Sequence, residues 1–250
     1  MDIKAYLQRI NYDGPLAPGA EILRRLQVAH LRAVPFENLS IHSSEPIVLN
    51  DDALFQKIVS RRRGGFCYEL NGSFAALLRA LGFDVAMLSA QVANAAGDFG
   101  PDFDHMTLMV TLADRWLVDV GFGDSFLEPL LLDEESEQLQ GHRGYRIVRE
   151  GAHRMLTQRS NGGEWKPQYR FTLKPYQYPD YAEMCRYHQT SEQSHFTRSR
   201  ICSRATPDGR ISLSDLRFIE TACGRRQERL LTNEEEYATI LRDHFGIVVT

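Results

Sequence analysis

One cysteine, Cys67, lies where a glycine-rich turn runs into an amphipathic helix. The turn and the first residues of the helix are Arg63-Gly64-Gly65-Phe66-Cys67-Tyr68-Glu69-Leu70-Asn71. Apolar residues then recur at helical spacing up to Gly82, at Leu70, Phe74, Leu77, Leu78 and Leu81. Because the amino end of a helix carries a partial positive charge, it favours the thiolate over the thiol. We therefore predict that Cys67 is a nucleophile.

A nucleophilic cysteine needs a base within hydrogen-bond reach, and His105 is the best placed of the eight histidines. It begins a predicted strand, 105–112, after a loop rich in Gly and Asp, and strand ends present side chains at the mouth of a sheet. His30 lies within a predicted helix. The other histidines lie in polar surroundings: His42, His142, His153, His188, His195 and His244.

The third member of a triad would be Asp119, an acid inside the next apolar run, 115–123. A buried acid without a partner is costly. If the two runs form a hairpin with a three-residue loop, Asp119 lies opposite Thr107 and on the same face as His105. A two-residue loop would place it on the other face. We therefore predict an odd-length loop or a bulge, which completes a Cys-His-Asp triad.

Composition excludes several classes of protein. A chain of 250 residues with 43% hydrophobic and 25% charged residues is ordinary for a globular protein. Its net charge of −4 does not favour nucleic-acid binding, and no stretch approaches the ~20 apolar residues that span a bilayer. The first ten residues do not resemble a signal peptide. Four separated cysteines, at 67, 185, 202 and 223, indicate neither disulfides nor zinc. We predict a cytoplasmic protein without a metal and without membrane or nucleic-acid partners.

The hydrophobic period changes along the chain and predicts three parts. Residues 1–84 form a helical part that carries the cysteine, with helical spacing at 3–10, 22–29, 54–59 and 67–81. Residues 85–190 form an antiparallel sheet or barrel that carries His105 and Asp119, with strands near 84–92, 105–112, 116–120, 145–149 and 168–173, followed by a short helix that Asp180 caps. Residues 191–250 form an α/β part, with strands on either side of 206–210 and a helix with a capping box from Thr232 to Glu235.

These motifs resemble those of the arylamine N-acetyltransferase family. The segment 63–71 matches that family's cysteine motif, and Val34-Pro35-Phe36-Glu37-Asn38-Leu39 resembles its other N-terminal landmark. His105 and Val118-Asp119-Val120-Gly121-Phe122-Gly123 follow in the family's order. The resemblance implies an α+β fold, in which a helical bundle and an antiparallel β-barrel form a cysteine-protease-like core under a C-terminal α/β lid.

The resemblance also implies an activity and a set of site residues. The activity is acetyl-CoA-dependent N-acetylation of arylamines and arylhydrazines, by a ping-pong mechanism through an acetyl-cysteine. The triad falls on Cys67, His105 and Asp119, and a supporting ion pair falls on Arg63 and Glu37. The loop 100–104 departs from the segment that contacts coenzyme A in some members. The C-terminal third also looks short.

Aromatic residues close to these motifs predict an apolar slot for an aromatic ring, lined by Phe36, Tyr68 and Phe122. Phe103 and Gly123 are predicted to contact coenzyme A, and the loop around Phe103 is predicted to supply a second donor to the oxyanion beside the Cys67 N–H.

The partners expected from this interpretation are a small aromatic amine or hydrazine and coenzyme A. The protein itself is expected to be a monomer or a homo-oligomer. The alternatives are an amide synthase or a cysteine protease that uses the same triad, and a binding protein that has kept only the fold.

Overall fold

Helices occupy most of the first eighty residues of the computed structural model, which describes residues 1–248. They are α1 (Ile3–Arg9), α2 (Ala20–Ala33), α3 (Leu39–His42), α4 (Asp51–Phe55), a π-helical turn (Gln56–Ser60) and α5 (Cys67–Ala80). Side chains of Asp2 and Asn50 cap α1 and α4 by accepting backbone N–H groups. Helix α5 begins at Cys67, as the apolar spacing predicts.

An antiparallel sheet of eight strands follows. Its strands are β2 (Asp84–Val92), β3 (His105–Thr111), β4 (Arg115–Val118), β5 (Leu130–Leu131), β6 (Gln138–Gln140), β7 (Arg143–Glu150), β8 (His153–Ser160) and β9 (Lys166–Tyr176). Their spatial order is β5-β4-β3-β2-β9-β8-β7-β6. Strands β2, β3, β4, β7 and β9 overlap the predicted runs, whereas β5, β6 and β8 have no counterpart among them.

Side chains join the two edge strands of this sheet. Gln138 pairs with the backbone of Leu131, accepting its N–H at 2.8 Å and donating to its carbonyl at 2.9 Å. Gln140 does the same with Glu128, at 3.0 and 2.7 Å. Because a side-chain amide offers the same donor and acceptor as a peptide group, the two glutamines nearly close the sheet. The predicted antiparallel barrel is thereby confirmed in a barrel-like form.

The β3–β4 hairpin has the odd-length loop that the triad requires. Thr111 pairs with Arg115, so the loop consists of residues 112–114, and Leu108 pairs with Val118. Asp119 is the next residue after β4, and continuing this register places it opposite Thr107. The hairpin prediction is therefore confirmed, and Asp119 lies on the same face as His105.

A second antiparallel sheet forms near the end of the chain. It consists of β1 (Phe36–Glu37), β10 (Ile201–Thr206), β11 (Gly209–Ser214), β12 (Arg217–Ala222) and β13 (Arg225–Leu230), in the order β1-β10-β11-β12-β13. Strand β1 comes from the helical third, and Phe36 pairs with Ser203. The C-terminal part therefore docks directly on the segment that supports the cysteine turn. The remaining helices are α6 (Tyr178–Thr190), α7 (His195–Arg198) and α8 (Glu234–Phe245).

Two helix starts differ from prediction by one or a few residues. Helix α6 begins at Tyr178, and Asp180 caps it from its third position by accepting the Gln177 N–H at 2.7 Å. At α8 the capping residue is Asn233, and Glu236 rather than Glu235 binds the N–H of Thr232. Adjacent Thr and Asn both make good caps, so the sequence alone leaves the choice open. None of the helices in residues 1–248 is long and apolar enough to cross a membrane.

Candidate active site

The turn before Cys67 depends on close backbone approach and a buried ion pair. A Cβ on Gly64 would lie 2.0 Å from the carbonyl oxygen of Pro35, so glycine is needed there. Arg63 donates from Nε to Oε1 of Glu37 at 3.0 Å, and Glu37 is completely buried. The other Glu37 oxygen accepts the Leu39 N–H at 2.7 Å. This ion pair ties the turn to the start of α3.

A second buried pair fixes the first turn of α5. Lys57 Nζ lies 2.6 Å from Oε1 of Glu69, and both side chains are buried. The other Glu69 oxygen accepts the backbone N–H of Phe66 at 3.1 Å, in the manner of a capping box. Because Phe66 directly precedes Cys67, the pair holds the start of the helix in place.

The three predicted triad residues meet below this turn. Cys67 is the first residue of α5, His105 is the first residue of β3, and Asp119 directly follows β4. All three are at most 3% exposed. His105 Nε2 lies 2.7 Å from Oδ2 of Asp119, which leaves Nδ1 as the nitrogen that can serve Cys67. Cys67 and His105 line the same cavity.

Four groups bind the carboxylate of Asp119. Besides His105, Tyr169 donates its hydroxyl to Oδ2 at 3.0 Å, and Oδ1 accepts from Asn71 Nδ2 and from the Gly121 N–H, each at 2.9 Å. Burial works to raise the pKa of Asp119, but His105, Asn71 and Gly121 outweigh it and hold that pKa below its usual value. Asp119 therefore faces His105 as a carboxylate near neutral pH.

The side-chain amide of Asn71 also binds two backbone groups close to the triad. Its Nδ2 donates to the Met106 carbonyl at 2.6 Å, and its Oδ1 accepts the Val120 N–H at 2.9 Å. This role of Asn71 was not predicted from the sequence. Asn71 lies four residues after Cys67, however, and this spacing places the two residues on one face of α5. The sequence analysis also missed Tyr169, for which no local pattern exists because β9 follows Asp119 by some fifty residues.

Replacing Asn71 with alanine should destabilise the protein by about 2–4 kcal/mol, because the Met106 carbonyl and the Val120 N–H would both be left buried without a partner. The free energy of unfolding in urea measures the effect. The matched control is Asn50→Ala, which removes only the cap of α4 and should cost about 1 kcal/mol. Equal losses in the two variants would contradict this role of Asn71.

Two opposing effects act on the pKa of the Cys67 thiol. Burial raises the pKa of the Cys67 thiol well above its usual value, and the backbone N–H of Met106 lowers it in part. Burial alone would therefore keep Cys67 protonated near neutral pH. His105 lines the same cavity and binds the Asp119 carboxylate, which makes it the candidate acceptor for that proton.

Two predicted site residues lie away from the cavity. Tyr68 is completely buried, and its hydroxyl donates to the Phe103 carbonyl at 2.6 Å, so the prediction that it lines the pocket is wrong. The ring of Phe103 packs on Tyr176 and Tyr181, with centroids 4.8 and 5.2 Å apart. Its N–H donates to Ser89 Oγ at 2.7 Å, so it is not free for an oxyanion. Together the two residues fix the loop before His105.

The cavity above the triad has a volume of about 690 Å³ and an aromatic wall. Phe36 and Phe122 line it, as predicted for the aromatic slot. Gly123, predicted as a coenzyme contact, also lines it, and so does Phe196, which no sequence pattern indicated. The edge of Phe122 meets the ring of His105, with centroids 5.2 Å apart. A Cβ on Gly121 would lie 2.8 Å from the Cα of Cys67, so this glycine lets the loop reach the cysteine. A cysteine, a base and an orienting carboxylate beside an apolar cavity are suited to acyl transfer.

Known proteins share this arrangement of the chain. Residues 20–250 match the family described as N-acetyltransferase. An arylamine N-acetyltransferase of Mycolicibacterium smegmatis is 35% identical, with 99% of this chain and 92% of the relative covered. Proansamycin X synthase of Amycolatopsis mediterranei is 32% identical, with 96% and 95% covered. The structure of Mycobacterium marinum arylamine N-acetyltransferase in complex with CoA is 32% identical and matches with a TM-score of 0.91, over 98% of this chain and 93% of the other. By sequence and by fold, the chain belongs to the arylamine N-acetyltransferase family of acyltransferases.

Proposed function

We propose that this enzyme transfers the acetyl group of acetyl-CoA to the nitrogen of arylamines and arylhydrazines through an acetyl-Cys67 intermediate. The observation that carries the proposal is the 2.7 Å contact between His105 and Asp119, which leaves Nδ1 of His105 for Cys67 at the floor of the cavity. Family membership supports the acyl transfer, and the triad supports the two-step course.

The first step forms the acyl-enzyme. The Cys67 thiolate attacks the thioester carbonyl, the bond between that carbon and the coenzyme sulfur breaks, and the His105 imidazolium gives its proton to the leaving thiolate. The backbone N–H of Cys67, at the start of α5, is the proposed donor to the oxyanion. Coenzyme A leaves as a thiol, and neutral His105 remains beside acetyl-Cys67.

The second step regenerates the ion pair. The amine nitrogen attacks the acetyl carbon, and His105 Nδ1 takes the proton that the nitrogen loses. The bond to Cys67 sulfur then breaks and releases the amide, so that thiolate and imidazolium face each other again. Phe36 and Phe122 in the cavity wall provide the apolar surface on which an aromatic acceptor can stack.

The half-reaction can be tested without an acceptor. After mixing with acetyl-CoA alone, intact-mass spectrometry should show one added acetyl group, and peptide mapping should place it on Cys67. Addition of an arylamine should remove it. A protein that gains no acetyl group but still forms acetylated amine would contradict the ping-pong course.

Coenzyme A is proposed to run from this cavity into a second one of about 630 Å³. The two cavities share Asp124, Arg210 and Ser212, and the second adds Arg143 and Arg226. Guanidinium groups suit the phosphates of the nucleotide end, while the acyl end reaches Cys67. This route uses Gly123, as predicted for coenzyme contact, but not Phe103.

The variant Arg226→Glu should raise the KM for acetyl-CoA about threefold and leave kcat unchanged, because it reverses one exposed charge near the phosphates. An acetyl thioester that lacks the nucleotide should be used equally well by variant and wild type. The matched control is Arg225→Glu, since Arg225 is also exposed but does not line the cavity. An equal rise in KM in the control would argue against the route.

The similarity to proansamycin X synthase favours one second candidate, an amide synthase that uses the same triad. Its acyl donor would be larger than acetyl and would carry its own amine. A steady-state comparison of acetyl-CoA with longer acyl thioesters decides between the two. Turnover with acetyl-CoA and a separate arylamine supports the acetyltransferase, and turnover only with a bulky amine-bearing donor supports the synthase.

A further inference from the structure

The cavity wall holds a carboxylate, Asp104, that the proposed mechanism does not use and that lies against a buried histidine, His188. Asp104 directly precedes His105 and lines the same cavity as the catalytic cysteine. Its Oδ1 lies 3.3 Å from Nε2 of His188. His188 is only 3% exposed, and the ring of Phe196 packs on it edge-on at 5.2 Å, so the prediction of polar surroundings is wrong for this residue.

Contacts behind His188 hold its imidazole ring in place. Ser194 Oγ accepts the Phe196 N–H at 3.2 Å and lies 3.1 Å from His188 Nδ1. The hydroxyl keeps its own hydrogen and a further lone pair, so this contact holds the ring in either imidazole tautomer. Nε2 forms no hydrogen bond with residues 1–248, although Asp104 is near.

Apart from the His188 contact, the Asp104 carboxylate has unused hydrogen-bonding capacity. Oδ2 of Asp104 lies against Gly100: a Cβ added to Gly100 would lie 2.7 Å from this oxygen. Among residues 1–248 no hydrogen bond to either oxygen is formed, and the side chain is 19% exposed. A half-enclosed carboxylate gains from a donor that a ligand brings, since burial without hydrogen bonds is costly.

We infer that Asp104 selects the amine acceptor: the cavity favours amines and hydrazines that carry a second hydrogen-bond donor besides the reacting nitrogen, and it disfavours acceptors that carry a carboxylate. The inference rests on the proposed acetyl transfer and specifies the acceptor class of that site. The donor would bind Oδ2, whereas an anionic acceptor would meet a like charge in a cavity that screens it poorly.

The test compares three acceptors of similar size in the wild type and in Asp104→Asn, a variant that keeps the shape and removes the charge. They are aniline, para-aminophenol and para-aminobenzoate. In the variant, kcat/KM for para-aminophenol relative to aniline should fall about tenfold, and the same ratio for para-aminobenzoate should rise about tenfold. Ratios are used because the charge of Asp104 also acts on Cys67 and changes all rates together.

Asp102→Asn is the matched control. Asp102 is two residues away, accepts a hydrogen bond from Gln91 at 3.0 Å and does not line the cavity, so its ratios should equal those of the wild type. Asp104→Ser provides a second variant that removes the same charge. Ratios unchanged in both Asp104 variants would overturn the inference.

The half-reaction with acetyl-CoA separates the two proposals. Wild-type protein that forms acetyl-Cys67 while the acceptor ratios do not move contradicts only the selection by Asp104. Wild-type protein that forms no acetyl-Cys67 contradicts the proposed function and the inference together.

Discussion

Replacing Cys67 with alanine is expected to lower kcat/KM for acetyl transfer by about 10⁵-fold or more, since loss of the nucleophile in a triad removes nearly all of its catalysis. No acetyl adduct should form when this variant is mixed with acetyl-CoA. The measurements are thiol release under steady-state conditions and intact-mass spectrometry of the half-reaction.

The control for this variant is Cys223→Ala, because Cys223 is the one exposed cysteine among the residues that the structure describes. That variant should keep wild-type kinetics and remain acetylated. A Cys67→Ala protein that still acetylates an arylamine at more than a trace rate would rule out Cys67 as the nucleophile. Thermal unfolding of both variants shows whether the loss is chemical or reflects misfolding.

Replacing Asp119 with asparagine is expected to lower kcat by about 10³- to 10⁴-fold. The amide cannot stabilise the imidazolium form of His105. It also brings an N–H₂ group to a place that three donors already face, from Asn71, Gly121 and Tyr169. Because burial raises the pKa of the Cys67 thiol, loss of this support should leave the thiol protonated. Alkylation of Cys67 by iodoacetamide at pH 6 should therefore slow in proportion to kcat.

The same substitution should change how stability depends on pH. Since the folded-state pKa of Asp119 is lowered, its contribution to stability is present above its unfolded value of about 4 and is lost as the pH falls through the folded value. The difference in unfolding free energy between wild type and Asp119→Asn should thus be largest near neutral pH and shrink in acid.

The control is Asp114→Asn in the exposed hairpin loop, which should match the wild type at every pH. An Asp119→Asn protein whose Cys67 is still alkylated at the wild-type rate at pH 6 would contradict the assigned role of the carboxylate.

Local patterns in the sequence determine the elements that carry the triad. The glycine-rich turn and the apolar spacing after it place Cys67 at a helix start, and the odd-length loop fixes the face of Asp119. Both depend on interactions within about twenty residues, where spacing and turn length leave few choices. The division into 1–84, 85–190 and 191–250 stays a prediction, although one strand of the last sheet comes from the first part.

The tertiary structure alone decided which side chains surround that triad. Tyr169 reaches Asp119 from a strand that is a neighbour only through the sheet order, and Asp104 meets His188 across more than eighty residues. Tyr68 and Phe103 look like site residues in the sequence, yet the Tyr68 hydroxyl binds the Phe103 carbonyl and the Phe103 ring packs against the core. Such contacts arise from how strands and helices pack. The sequence does not predict them, because many distant residues could bind the same polar group or pack on the same ring. The sequence by itself thus predicts the proposed reacting groups, and the fold determines which side chains surround them.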